Sequence, residues 1–185
     1  EFCLADSQFN ANELREAGYT CPISVLPIII DFDKWKSPAL KNNADGSTIL
    51  FTGRIVPNKR VEAVIETFYY LKRYFAPNVK LEIVGTYQED SLYFQKLQRY
   101  IKRLELTDVF FKGHVSEEEL AETYENADVY LSLSGHEGFC IPILEAMFFG
   151  IPVVALDCGA VSETMNGAGV LVKSTDALLL AGVIS

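Results

Sequence analysis

An α/β fold with an open, mostly parallel sheet is what this sequence predicts, and three observations carry the prediction. Short β-branched runs alternate with longer segments of helical period. Most of the short runs are uninterrupted apolar stretches, as in strands covered on both faces, and not the alternating pattern of half-exposed ones. Glycine follows several of them, where a small residue lets backbone approach a ligand at the carboxyl ends of the strands.

Each element has its own justification. FCLA (2–5) and ISVL (23–26) read as strands flanking a helix. This unit, residues 1–30, is too small to bury its own faces, so it is expected to be either an extra layer or the remnant of a preceding domain. DKWKSPALKNNADGS (33–47) is polar, aperiodic and broken by Pro and Gly, which predicts a linker or long surface loop. TILFT (48–52) is the next strand. In KRVEAVIETFYYLKRYF the apolar residues Val61, Val64, Ile65, Phe68, Leu71 and Phe75 make a helical stripe, with Asn58 expected as its cap and Lys59 and Arg60 in its first turn. KLEIV (80–84) is followed by SLYFQKLQRYIKRL, whose Leu97, Ile101 and Leu104 face a core and whose Arg99, Lys102 and Arg103 suit the negative end of the dipole. VFFK (109–112) precedes SEEELAETYENAD. There Ser116 and Glu119 form a capping box, so the three glutamates mark a helix start and not a metal site. VYLSL (129–133) leads through a loop to a helix with Pro142 at its first position and Gly150 at its end. PVVAL (152–156) and GVLV (169–172) complete the strands. The opening EFCLADSQ without Met, and ALLLAGVIS in mid-helix at the close, suggest a piece of a longer chain.

Bulk composition excludes several classes of function. At 49 % hydrophobic, the 185 residues can bury a core and are not disordered. Sixteen basic against 25 acidic residues, a net charge of −9 spread along the chain, disfavour non-specific binding to nucleic acid or anionic lipid. No apolar run approaches the ~20 residues of a membrane helix. Cys3, Cys21, Cys140 and Cys158 are far apart in sequence and form no C-x-x-C pair, so free thiols in a reducing, cytoplasmic compartment are expected.

The chemistry-bearing residues follow the strands. After TILFT come Gly53 and Arg54, then Pro57-Asn58-Lys59-Arg60; after KLEIV, Gly85-Thr86; after VFFK, Gly113-His114; after VYLSL, Ser134 to Gly138. Lys59, Arg60 and Arg54 upstream of them could clamp a phosphate or diphosphate, Arg by a bidentate fork and Lys as a point charge, or could be an exposed solubilising loop. Glu137 and Glu145 flank the start of a helix whose preceding amides, Gly138 to Ile141, form a potential anion nest. Carboxylates beside a phosphate site make sense if the ligand also offers hydroxyl donors, since an ionised carboxylate only accepts. An anionic middle with hydroxyl-rich ends describes a nucleotide sugar. A metal at His136, Glu137 and Glu145 lacks an established ligand spacing. A glycosidase pair would sit about 5–9.5 Å apart across a scissile bond and would not call for a basic cluster nearby. His114 and His136 read equally as hydrogen-bonded loop residues or catalytic ones.

The order of these motifs resembles the retaining glycosyltransferases of family four, which have the GT-B architecture of two Rossmann-like domains across a cleft. The resemblance runs from about residue 23 to the end. It rests on Gly53 to Lys59 (G-R-x-x-x-x-K), IVG at 83–85, FKGHV at 111–115, ADVYLSLS at 127–134, E-G-F-x-x-P-x-x-E at 137–145, EAM with GIPVV, and Gly159 to Glu163 before GAGVLV. It implies that residues 31–185 are the Rossmann-like donor domain, truncated at its C-terminus, and that 1–30 belong to the end of the N-terminal domain. It further implies transfer of a hexose from GDP-mannose or a UDP-hexose to an acceptor hydroxyl, with no metal or other cofactor required. Arg54 and Lys59 would hold the diphosphate beside Gly53. Glu137 and the backbone of Gly138, Phe139, Cys140 and Ile141 would hold the sugar, Glu145 the ribose, and Gly85, Thr86, His114 and Val115 would border the base. The acceptor domain of the parent chain and a lipid-linked or polysaccharide acceptor at the inner face of a membrane are the implied partners, and the isolated fragment is expected to turn over poorly. Cys140 departs from the family's usual Gly, and Pro27-Ile28-Ile29-Ile30 from its Pro-Asn-Gly hinge. A nucleotide-sugar epimerase, a phosphorylase or a non-catalytic nucleotide-sugar-binding domain are the rival readings.

Overall fold

The computed structural model describes residues 2–33, 35 and 47–185. Six strands form one parallel sheet: β3 (Thr48–Thr52), β4 (Lys80–Val84), β5 (Val109–Gly113), β6 (Val129–Ser132), β7 (Val153–Leu156) and β8 (Val170–Val172). Their spatial order is β5-β4-β3-β6-β7-β8. Counted from β3 this is 3-2-1-4-5-6, the doubly wound dinucleotide-binding order, with its switch point between β3 and β6. The expected Rossmann-like parallel sheet with helices on both faces is therefore present.

Strand alternation explains the two covered faces. Ile49 and Phe51 point to one side, into a core with Val64, Ile65 and Phe68 of α2 (Val61–Tyr74), Leu97 of α3 (Leu92–Arg103) and Leu180 of α7 (Ala177–Ile184). Leu50 points to the other, with Tyr124 of α4 (Glu117–Asn126), Ile143 and Ala146 of α5 (Ile141–Phe148) and Val161 of α6 (Val161–Met165). The capping box of α4 is formed: Glu119 N–H donates to Ser116 Oγ and Ser116 N–H to Glu119 Oε2. Gly150, at φ 69°, ends α5 in the left-handed conformation that glycine adopts without strain. At the sheet edge β5 keeps the alternating exposure of a half-covered strand, unlike the buried β7.

Before this sheet lies a separate parallel pair, β1 (Cys3–Ala5) and β2 (Ile23–Val25), joined by α1 (Gln8–Glu16) under a Ser7 cap. Pairing brings Cys3 and Cys21, distant in sequence, to 3.2 Å between sulfurs. The linker expected over 33–47 lies outside the described residues at 34 and 36–46. Within that span, however, Trp35 is buried against Phe148 and Phe149, and just before it Phe32 stacks on Phe148 at 4.7 Å. The polar composition of the stretch concealed an aromatic anchor for α5.

Candidate functional site

The switch point opens between the loops that follow β3 and β6. Gly53 and Gly85 end adjacent strands, with Gly53 N–H donating to Val84 C=O and Gly85 N–H to Gly113 C=O. A Cβ on Gly85 would lie 1.9 Å from the Gly53 carbonyl oxygen, so only glycine allows this contact. These glycines floor a cleft of about 290 Å³ that also touches Thr52, His114, Val115 and Glu145. Gly53, Gly85, His114, Val115 and Glu145 are thus brought together. Thr86 is exposed beside the cleft, and its carbonyl accepts from Ile55 N–H.

The basic loop folds differently from the expectation. Pro57–Lys59 form a separate 3₁₀ turn, closed by Arg60 N–H on Pro57 C=O, and α2 starts only at Val61. Arg60 is its N-cap in the left-handed conformation, φ 48°, without a cap bond from its own side chain, and the first helical amide, Val61 N–H, donates instead to Tyr93 Oη at 2.9 Å. Asn58 is therefore not the cap, and Lys59 and Arg60 are not in the first turn. The reason is local: the left-handed Arg60 interrupts the helix, while the Asn58 carbonyl accepts from Gly135 N–H at 2.7 Å. Arg60 lies instead against Gly135, where a Cβ would be 2.9 Å from its Nε. Arg54 is exposed and takes no ion pair among the described residues.

Lys59 and Glu137 meet directly, Nζ to Oε1 at 2.6 Å, with the Glu137 side chain 9 % exposed. This pairing joins the two switch-point loops. A lysine ammonium carries three donors, so Lys59 keeps two for a ligand while holding a buried carboxylate in place.

From Glu137 the chain runs through Gly138 and Phe139 to Cys140, the N-cap of α5 at φ 68° and ψ 63°. Ile141 is the first helical residue and Pro142 the second, one place later than expected, because Cys140 takes the cap. Three successive carbonyls of this loop are held from outside. Glu137 C=O accepts from Ala160 N–H at 2.8 Å, Gly138 C=O from Asn10 Nδ2 at a long 3.5 Å, and Phe139 C=O from Thr164 Oγ1. In a planar trans peptide the following N–H points away from the held carbonyl, so these contacts fix the amides of Gly138, Phe139 and Cys140 one by one. They take no protein acceptor among the described residues. Gly159, at φ 56°, makes this possible: a Cβ there would sit 2.2 Å from the Glu137 carbonyl oxygen. Burial, then the nearby Glu137 charge, pushes the Cys140 thiol up to about 12.

Glu145, half-buried on α5, accepts from Tyr124 Oη at 2.7 Å. The phenol has one proton, so Thr52 Oγ1, 2.8 Å away, donates to Tyr124 in turn. Burial first, then Tyr130 and Glu145, holds the Tyr124 phenol well above its ordinary range and keeps it a donor. His136 is exposed, its ring 5.8 Å from that of Phe9 on α1.

Asn10, Tyr124, Ala160, Glu163 and Thr164 belong to this arrangement and escaped sequence reasoning. Only Glu163 had a signal, its place in the G-x-x-x-E segment. The others act through long-range contacts that periodicity assigns to helix faces.

The profile of the family described as Glycosyl transferases group 1 matches residues 32–185. Among curated relatives, O-antigen chain mannosyltransferase B of Escherichia coli is 28 % identical over 158 residues, covering 84 % of this chain and 38 % of the relative. The GDP-mannose-dependent alpha-mannosyltransferase of Mycolicibacterium smegmatis is 35 % identical over 118 residues, 62 % of this chain and 27 % of the relative. HepE of Anabaena, solved with UDP and glucose, superimposes with a TM-score of 0.84 at 23 % identity, over 98 % of this chain and 51 % of that one. The chain spans little more than a third of the curated relatives at most.

Proposed function

The chain belongs to the group 1 glycosyl transferases, and from that premise we propose that residues 31–185 bind a nucleotide-diphosphate sugar as the donor domain of a retaining hexosyltransferase. GDP-mannose and UDP-hexoses are the donor classes; the names of the Mycolicibacterium relative and of the HepE complex support both. Residues 1–30 are the end of a preceding acceptor domain. The acceptor hydroxyl is lipid-linked or on a polysaccharide at the inner face of a membrane. The match to alpha-monoglucosyldiacylglycerol synthase of Streptococcus pneumoniae supports the lipid class.

The observation that carries this reading is that Glu137, paired with Lys59, and Glu145, lining the cleft at Gly53 and Gly85, lie on either side of backbone whose carbonyls are held from outside. Glu145 takes the ribose hydroxyls at the cleft floored by Gly53 and Gly85, and His114, Val115 and Thr86 border the base. Arg54 and the two remaining Lys59 donors hold the diphosphate and stabilise it as it departs, without a metal. The amides of Gly138 to Ile141 and the outer oxygen of Glu137 receive the sugar hydroxyls. With the acceptor half of the cleft supplied elsewhere, residues 1–185 bind donor but transfer poorly.

Calorimetric titration with UDP-glucose, GDP-mannose and ADP-glucose tests the reading. One of them should bind, and Glu145→Ala should weaken it at least about tenfold, the equivalent of one or two charge-assisted hydrogen bonds. Binding by none, or full binding by Glu145→Ala, would sink the assignment.

A further inference from the structure

Resting on the reading of Gly138 to Ile141 as sugar-binding backbone, we propose that α1 positions that backbone through Asn10 and Glu163. Both are positioning residues; neither is expected to touch the reacting atoms.

Two contacts join α1 to the loop. Glu163, in the first turn of α6, accepts from Gln8 N–H at 2.8 and 3.0 Å through its two oxygens and from Phe9 N–H at 3.2 Å. These amides open α1 and have no intrahelical acceptor, and a carboxylate there also meets the positive end of the helix dipole. Asn10, in the same first turn, directs its amide at the Gly138 carbonyl and is itself fixed by Asp6 Oδ1. A Cβ on Gly138 would lie 2.8 Å from Asn10 Nδ2. The glycine thus leaves the space that Asn10 occupies, a requirement separate from any ligand.

The same α6 segment holds the neighbouring carbonyls, Glu137 through Ala160 N–H and Phe139 through Thr164 Oγ1. Of three consecutive peptide planes, two are therefore set from the main sheet and the middle one from the small β1-α1-β2 unit, while Glu163 ties the two sources together. Because each held carbonyl aims the next amide, the N–H of Phe139 is directed only when α1 sits where it does. A helix serving stability alone would affect every ligand equally. One that aims these amides affects the sugar and spares the nucleotide.

Asn10→Ala and Glu163→Gln should be titrated with UDP, UDP-glucose, GDP and GDP-mannose beside the unaltered chain. For whichever base binds, each variant should weaken the nucleotide sugar about tenfold and leave the free diphosphate within about twofold. Gly138→Ala, whose methyl displaces Asn10, should match Asn10→Ala, and the double variant should be no worse than either. Equal weakening of sugar-bearing and sugar-free ligands, or of neither, overturns the proposal. If the unaltered chain binds none of the four, or binds sugar and diphosphate equally, the reading of the site fails instead. Hydrogen exchange at Ala160, whose N–H is held by Glu137 C=O, then decides the positioning role alone. About tenfold faster exchange in Asn10→Ala at unchanged global stability upholds it, and unchanged exchange overturns it.

Discussion

Tyr124→Phe removes one oxygen from the protein interior and tests the wiring of the nucleotide end of the site. Tyr124 is fully buried, and its hydroxyl joins Thr52 Oγ1 at 2.8 Å to Glu145 Oε2 at 2.7 Å. A hydrogen bond to a charged acceptor is worth about 1.5–3 kcal/mol and a neutral one about 0.5–1.5 kcal/mol. Glu145 is only half-buried, so water can replace part of its loss; the lower ends apply, giving about 2 kcal/mol. For a domain of this size that is ~4–8 °C in Tm, read by scanning calorimetry or urea unfolding. Linkage supplies a second signature. A phenol raised by burial contributes stability that is complete below its unfolded value near pH 10 and is lost as pH rises beyond it, so the gap between parent and variant should narrow above about pH 10. Nucleotide affinity should fall as well, because Glu145 loses the partner that fixes its rotamer. A Tm change below about 1 °C with unchanged nucleotide affinity would refute the reasoning, since Tyr124 would then hold nothing that matters.

Three further outcomes are expected. Gly85→Ala, driven against the Gly53 carbonyl, should cost more than about 3 kcal/mol, whereas Gly150→Ala, with nothing within 4 Å, should cost about 1 kcal/mol for its left-handed backbone; urea titrations that rank them the other way contradict the close approach. Cys140, with its thiol at about 12, should react with iodoacetamide at pH 8 about 10³-fold more slowly than an ordinary cysteine, and mass spectrometry showing comparable labelling would rule out the buried setting. Lys59→Met leaves the Glu137 carboxylate buried without its cation and should destabilise by about 2–3 kcal/mol. Adding Glu137→Leu should recover much of that loss, and purely additive losses would mean the 2.6 Å pair carries no coupling.

The sheet was legible in the sequence to within a residue or so at most strand ends, and TILFT and KLEIV matched at both. Continuous apolar runs flanked by glycine are what two covered faces demand, so that signal is local. The turn at Pro57–Lys59 was not legible, because a non-glycine residue in the left-handed region, here Arg60, leaves no mark in apolar periodicity. The five residues of α6 are too few to show a stripe. Glu137 and Glu145 could be singled out because charge in an apolar stretch is conspicuous, and Lys59 because it follows a strand of the sheet. Tyr124 and Asn10 could not, since each looks ordinary until the residue it meets is known.

One consequence concerns the order in which the molecule can be completed. The apolar face of α2, the helix that follows the Lys59 turn, is covered in part by Leu180 and Ala181 of α7. A chain emerging from the ribosome makes Val61–Tyr74 long before Ala177–Ile184. Until the later helix arrives, the part of the α2 face that Leu180 and Ala181 cover stays open to solvent, the kind of surface that chaperones bind and that promotes aggregation. A boundary drawn upstream of residue 177 for expression should therefore give insoluble protein and a poorly seated Lys59, although the cut is remote from every residue of the cleft.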